Sequence, residues 1–200
     1  GVTLGMAAAL GDDGEGGNSG DQNTVASAID WCWKTFGAHI ISLSLGGVSD
    51  PDADRNGPTT NAVRQAISNG VFVISAAGND GGSDDDGRVS TPSNVVEAIS
   101  VGAFDDTGEI WEGSSLGESL DTDGTNREHP HMKPEISAPG VGIISTAYGG
   151  EYYSSTGTSD ATVFVAGILA LILEAEPHIM NDTDVDCITE VKLALKESAI

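Results

Sequence analysis

The chain has 200 residues, which is enough for one domain with a hydrophobic core. Its formal net charge is -23 at pH 7, because 8 Lys plus Arg stand against 31 Asp plus Glu. Such a surface repels nucleic acid and anionic lipid, so neither is expected as a partner. We expect adaptation to high salt, where ions screen the repulsion between carboxylates. The alternative is an ordinary acidic soluble protein.

Membrane, secretion and disulfide signals are all weak. The longest apolar stretch, residues 163–173, is shorter than a membrane span requires, so no membrane partner is predicted. No basic segment followed by an apolar one opens the chain, so no signal peptide is visible. Cys32 and Cys187 are too few for a disulfide framework and wrongly spaced for a zinc site. We expect two small apolar cysteines rather than a bridge.

Hydrophobic periodicity predicts helices alternating with strands in the first half of the chain. Residues 1–10 are small and apolar, which predicts a strand end or a tightly packed segment. Helices are predicted over residues 24–36 and 59–68, and strands over residues 39–45, 71–77 and 95–103. This alternation indicates an α/β domain with a parallel sheet. Ligands of such sheets lie beyond the carboxyl ends of the strands.

One long helix dominates the second half. Residues 105–130 are polar and predict turns, and residues 136–146 predict a short strand broken at Pro139-Gly140. Residues 159–175 are apolar almost all round, which predicts a central, buried helix. Pro177 ends this helix, and residues 191–199 predict a final amphipathic one.

The segment Gly157-Thr158-Ser159 opens the long apolar helix. A hydroxyl placed there lies beside unpaired backbone N–H groups and the positive end of the helix dipole, which favour developing negative charge. Gly157 lets a substrate backbone approach closely. The alternative is that Thr158 or Ser159 only caps the helix.

Five segments, in a fixed order, resemble the subtilisin-like serine proteases (subtilases, peptidase S8). They are Ser44-Leu45-Gly46-Gly47, Ser75-Ala76-Ala77-Gly78-Asn79, Thr91-Pro92-Ser93 with the strand after it, Lys133-Pro134-Glu135-Ile136-Ser137-Ala138-Pro139-Gly140, and Gly157-Thr158-Ser159. The resemblance implies a three-layer α/β fold, with a mostly parallel central sheet flanked by helices. Residues 1–200 would form the carboxy-terminal two-thirds of a single peptidase domain, with the amino-terminal part missing.

By this resemblance, Ser159 is the nucleophile of a serine endopeptidase and forms an acyl-enzyme with a polypeptide substrate. The Asn79 amide would hold the oxyanion together with the Ser159 N–H, although Asn79 also suits a turn after a strand. The two edges of the substrate groove would be Ser44, Leu45 and Gly46 on one side and Ala76, Ala77 and Gly78 on the other.

The aspartate and histidine of the family's catalytic triad have no counterpart in matching context. The sequence places the four histidines in structural or solvated settings: His39, His129, His131 and His178. We therefore expect the Asp and His segments to precede Gly1, in a secreted, extracellular protease that is active only with them. The alternative is a non-catalytic subtilase-like binding or scaffolding domain.

Two features bear on competence and ion binding. Asp160 stands where the family usually has a neutral residue, and its carboxylate would repel an oxyanion if it pointed into the site. No cofactor is expected for catalysis. Acidic loops at residues 12–21, 50–54 and 80–86 allow structural calcium, although a solvated acidic surface is the favoured interpretation.

Overall fold

The computed structural model describes residues 1–15, 17–47, 56–84, 86–117, 125–180 and 182–199. Its helices are α1 (Gln22–Lys34), α2 (Pro58–Ser68), α3 (Thr158–Ala175) and α4 (Val185–Ser198). Its strands are β1 (Gly11–Asp12), β2 (Asn18–Ser19), β3 (Ile40–Leu43), β4 (Phe72–Ala76), β5 (Ile99–Phe104), β6 (Ile136–Pro139), β7 (Ile143–Thr146) and β8 (Tyr152–Ser155). Short 3-10 turns lie at Gly82–Asp84, Tyr148–Gly150 and Pro177–Ile179.

Four parallel strands form the central sheet in the order β3-β4-β5-β6. All five residues of β4 are buried, as expected for a strand covered on both faces. Helix α3 contacts all four strands, whereas α2 contacts β4 and packs on α1. Since successive side chains of β4 point to opposite faces, helices must cover both sides of the sheet. This confirms the predicted three-layer α/β architecture.

Helix α3 buries one stripe and exposes another. Its buried apolar residues follow the helical period: Ala161, Val165, Leu169 and Leu173. The opposite face is exposed at Val163 (53%), Phe164 (43%), Ile168 (46%) and Leu171 (66%). The prediction of a helix buried all round is therefore wrong for this face, because no described residue covers it. The helix is long and apolar enough to cross a membrane, although its buried stripe packs on the sheet.

The remaining differences from the sequence predictions concern element ends. Residues 1–10 form no strand, and Val2, Leu4 and Met6 are exposed. A strand needs a neighbour for its backbone groups, and no described strand pairs with this segment. The predicted break at Pro139-Gly140 separates β6 from β7, which pairs antiparallel with β8.

Helix α4 starts six residues earlier than the amphipathic pattern indicated. The Asp184 carboxylate caps it by accepting a hydrogen bond from the Asp186 N–H. Both cysteines are free, as predicted: Cys187 is buried in α4 and Cys32 is half-buried in α1. Burial raises the pKa of both thiols, so they are less readily ionised than an exposed cysteine.

Candidate active site

The carboxyl ends of β3 and β4 meet the amino end of α3. Ser44 follows β3, and its hydroxyl donates to the Ser159 carbonyl oxygen at 3.2 Å. Gly78 follows β4, and its N–H donates to Thr158 Oγ1 at 3.1 Å. The residues after β3 and β4, which the sequence analysis assigned to the substrate groove, therefore contact the first turn of the helix that carries Ser159.

Asn79 lies against the same turn. Its Oδ1 accepts from the Thr158 N–H and from Thr158 Oγ1, each at 3.0 Å. Because two donors occupy the oxygen, the side-chain nitrogen is the end left free to donate. A Cβ placed on Gly157 would lie 3.2 Å from that nitrogen. Glycine at this position therefore keeps the space beside the Asn79 amide open.

Ser159 occupies the second position of α3 and is half-buried. Its hydroxyl makes no hydrogen bond with any residue in the described part of the chain. The N–H groups of the first helical turn have no partner within the helix, and the helix dipole adds positive potential there. The hydroxyl thus lies at a point suited to negative charge, within one turn of the Asn79 amide.

The Asp160 carboxylate is bound rather than free. Ser155, at the end of β8, donates its hydroxyl to Asp160 Oδ1 at 2.5 Å. The Asp160 N–H donates to the Gly157 carbonyl at 3.1 Å. One oxygen of the Asp160 carboxylate is therefore directed towards the end of β8. This contact reduces the repulsion expected between the carboxylate and an oxyanion formed at Ser159.

Ser90 fills the floor between the two predicted groove edges. A Cβ on Gly46 would come within 2.7 Å of Ser90 Cβ, and one on Gly78 would collide with Ser90 Oγ. Gly78 also has a φ of 118°, which disfavours any other residue. The Ser90 N–H donates to the Ala77 carbonyl at 2.7 Å. Sequence reasoning missed Ser90, although it directly precedes the Thr91-Pro92-Ser93 motif.

The other predicted groove residues differ in exposure. Ser44 and Gly46 are exposed and Leu45 is half-buried, whereas the side chains of Ala76 and Ala77 are buried in the core. A cleft of about 260 Å³ adjoins this edge, lined by Leu45, Gly46, Gly47 and Thr91 on one side and by residues of the β1–β2 and α1 region on the other. Of the two edges, the one formed by residues 44–46 is thus the more accessible.

None of the four histidines contacts Ser159 in the described parts of the chain. The His39 carbonyl accepts from the Phe72 N–H at the start of β4, so it lies at the far end of the sheet. His178 follows α3, whose length separates it from Ser159 by roughly 25 Å. His129 is exposed, and His131 contacts Lys192 instead.

Metal ligands are not gathered in the described residues. There, no three His, Cys, Asp or Glu side chains come together as a metal site. Residues 50–54 of the acidic loops lie outside the described part, as does Asp85. The calcium hypothesis stays a prediction.

Comparisons with known proteins identify the family of the chain. The subtilase family model matches residues 1–199. M-protease of Shouchella clausii is 36% identical over 163 residues, covering 82% of this chain and 37% of that protein. Subtilisin Savinase of Lederbergia lenta is 36% identical over 163 residues, covering 82% of this chain and 52% of that protein. The chain thus spans about half, or less, of the length of the curated relatives that it matches.

Solved structures give the same result. The self-cleaved protease domain of PatA has a TM-score of 0.70 at 29% identity, covering 90% of this chain and 60% of that one. Sphericase has a TM-score of 0.67 at 30% identity, covering 91% of this chain and 56% of that one. The fold is that of an α/β serine protease. The chain belongs to the subtilase family.

Proposed function

We propose that the chain carries the nucleophile and oxyanion hole of a serine endopeptidase. Ser159 Oγ attacks a peptide carbonyl, its proton passes to a base, and the amine leaves as the acyl-enzyme forms. The observation that carries this proposal is the Asn79 side chain, held by Thr158 beside the first turn of α3. A hydroxyl and a fixed amide donor that meet at one helix start are two of the parts that peptide hydrolysis by a serine requires, and the base is the third.

The oxyanion site is formed by two donors of different origin. The Asn79 Nδ2 comes from the end of β4 and the Ser159 N–H from the first turn of α3. Donors fixed before the reaction stabilise the tetrahedral intermediate without having to reorganise. The hydrogen bonds from Thr158 to Asn79 Oδ1 provide this fixation.

An extended polypeptide is the substrate that fits the groove. Backbone pairing between β3 and β4 runs to Leu43 and Ser75, and Gly47 pairs with Thr91 further on. The backbone between these points, residues 44–46, pairs with no described strand. A substrate strand that pairs there is bound through its main chain, so many sequences are accepted.

The base and its orienting carboxylate would come from the rest of the protease. Two surfaces support this proposal: the exposed apolar face of α3, and the edge of β3, which pairs with no other described strand than β4. A face of this kind marks a contact with another segment or protein. Ser159 without a neighbouring base is a weak nucleophile, so catalysis requires those segments.

A non-catalytic binding domain is the second candidate. The Asp160 carboxylate next to Ser159, where the family resemblance leads us to expect a neutral residue, is the observation that favours it. Such a domain would still bind extended peptides along residues 44–46, but it would not turn them over. The two candidates therefore differ in chemistry and not in binding.

A fluorophosphonate probe applied to the full-length protease distinguishes these candidates. The probe phosphonylates a serine only when the serine is activated by its base. We expect labelling at Ser159, loss of labelling in Ser159→Ala, and hydrolysis of a casein substrate by the unmodified protein only. Folded protein that binds peptide but is neither labelled nor hydrolytic would show that the non-catalytic candidate is correct.

The surroundings of the protein are a further part of the proposal. We propose a salt-rich environment, because a net charge of -23 is tolerated best where ions screen it, and an extracellular location, which the family resemblance implies. A structural calcium ion bound by the acidic loops would add stability in the same setting. Neither is required for the chemistry at Ser159.

A further inference from the structure

Two lysines share one carboxylate in the interior of the protein. The Nζ atoms of Lys133 and Lys192 each lie 2.8 Å from Glu135 Oε1, and both side chains are fully buried. The other carboxylate oxygen, Oε2, accepts from the Ser100 N–H at 2.7 Å. In a chain with 8 Lys plus Arg, these two lysines and Arg127 are buried in the interior, where charge is costly.

Lys192 links α4 to the sheet layer through three contacts. Its Nζ donates to Glu135 Oε1 and to the Val96 carbonyl, the latter at 2.6 Å, and it lies 3.3 Å from His131 Nδ1. An ammonium group has three donors and no acceptor. The contact with His131 is therefore a hydrogen bond only when Nδ1 is unprotonated.

The charges around His131 oppose its protonation. Cations face the ring from two elements, Lys192 on α4 and Lys133 before β6, and Arg127 lies close to both lysines. The opposing carboxylates are Glu135 and, near Lys192, Glu97. Burial first, and then the two lysines, hold the pKa of His131 below its usual value, although Glu135 and the Val96 carbonyl act in the opposite direction.

We propose that His131, Lys192 and Glu135 form an acid-sensitive latch that fastens the C-terminal helix α4 to the body of the protein. At neutral pH, His131 Nδ1 accepts from Lys192 and completes its three hydrogen bonds. When the ring takes up a proton, an N–H faces the ammonium group, and the acceptor becomes a repelling cation. Lys192 then loses a partner, and α4 separates from the sheet layer more often.

The pH window follows from the sign of the shift. A histidine whose pKa is lowered in the folded state binds fewer protons there than in the open state. The latch is therefore complete above the ordinary histidine value of 6.5 and weakens as the pH falls below it. One proton taken up on opening lowers protection by up to about tenfold per pH unit.

Hydrogen exchange of the intact protein tests the latch. Amide protection of α4, corrected for intrinsic rates, is compared with that of α2 between pH 7.5 and pH 5 at constant salt. We expect protection in α4 to fall about tenfold more than in α2. His131→Asn keeps an acceptor near the Nδ1 position but does not titrate, so the additional fall should disappear. His129→Asn, two residues away and exposed, should retain it.

Two results would overturn the proposal. One is α4 protection that follows α2 across the whole pH range. The other is an additional fall that survives in His131→Asn. A nitrogen-detected NMR spectrum of the His131 ring gives a check that does not depend on stability: at pH 7.5 the proton should be on Nε2, and a proton on Nδ1 would refute the hydrogen bond from Lys192. Neither measurement depends on proteolytic activity.

Discussion

Thr158 binds the side-chain oxygen of Asn79 twice, through its backbone N–H and through its hydroxyl, each at 3.0 Å. The same hydroxyl accepts from the Gly78 N–H, so the end of β4 and the start of α3 are joined at one side chain. The orientation of the Asn79 amide is thereby fixed with its nitrogen available to a ligand. This relationship leads to two predictions about turnover.

Removal of the Asn79 amide should slow the full-length protease strongly. We expect Asn79→Ala to lower kcat by about a hundred- to a thousand-fold with little change in KM, which is the range known for such a donor in subtilisin, a member of this family. The reason is that the amide bonds an oxygen that is charged only in the transition state. Steady-state kinetics on a chromogenic peptide measure both kcat and KM. A rise in KM with kcat unchanged would show that Asn79 only binds substrate.

Loss of the Thr158 hydroxyl should have a smaller effect through Asn79. Thr158→Val keeps the shape and the backbone N–H but removes one of the two donors to Oδ1, so we expect kcat to fall about tenfold. Thr158→Ser keeps the hydroxyl and should remain within a few-fold of the unmodified enzyme. In the Asn79→Ala background, Thr158→Val should add little, because its target is gone. Additive losses would contradict this coupling.

The contact between Ser155 and Asp160 predicts how the additional carboxylate is tolerated. Ser155→Ala removes the hydroxyl that holds Asp160 Oδ1 and frees the carboxylate to turn towards Ser159. We expect kcat to fall several-fold in Ser155→Ala, to change little in Asp160→Asn, and to recover in the double variant. Values of kcat for the unmodified protein, the two single variants and the double variant, all measured at one pH, give the coupling energy between the two side chains. A rise of more than tenfold in kcat in the Asp160→Asn variant would show that the carboxylate already opposes the oxyanion in the unmodified protein.

Glu135 should be the most costly member of the buried ion cluster to replace. Glu135→Gln leaves Lys133 and Lys192 without a counter-charge, and breaking such a group costs about 3–5 kcal/mol of unfolding free energy. Lys192→Met leaves one lysine paired with one carboxylate and should cost less. Glu109→Gln, on the surface, should be neutral. Urea unfolding measures the free energy of unfolding of the three variants. A loss of unfolding free energy in Lys192→Met as large as that in Glu135→Gln would contradict this prediction.

Much of the fold could be predicted from sequence because the strongest signals are local. The apolar run of β4 and the helical period of α1 and α2 depend on residues near in the chain, and the structure confirms them. The strand end or tightly packed segment predicted for residues 1–10, and the all-round burial predicted for α3, were wrong for a different reason. Both depend on what lies beside the element, and sequence pattern carries no information about a neighbour.

Only those site residues that belong to a recognisable sequence motif could be predicted. Ser44, Gly78 and Asn79 stand at strand ends, and the structure brings each of them to the start of α3. Ser90 was missed because a single serine has no pattern of its own; only the neighbouring glycines show that it fills the floor. Within the lysine–glutamate cluster, the pairing of Lys192 with Glu135 was missed because these residues are 57 positions apart in the chain and meet only in the core.

Salt should stabilise the protein through its surface and not through its core. Repulsion among 31 acidic residues is screened within about 10 Å at 0.1 M salt and within about 3 Å at 1 M, whereas buried pairs are screened far less. We therefore expect Tm to rise steeply from 0.05 to 1 M NaCl, by about 2–4 °C for each kcal/mol of repulsion removed. Calorimetry in NaCl measures this rise, and sucrose at matched osmolality is the control, since it screens no charge. Because screening saturates once the Debye length is shorter than the spacing of charges, the curve should flatten above 1 M. A Tm that rises equally in sucrose, or that stays constant in NaCl, would mean that carboxylate repulsion does not limit stability.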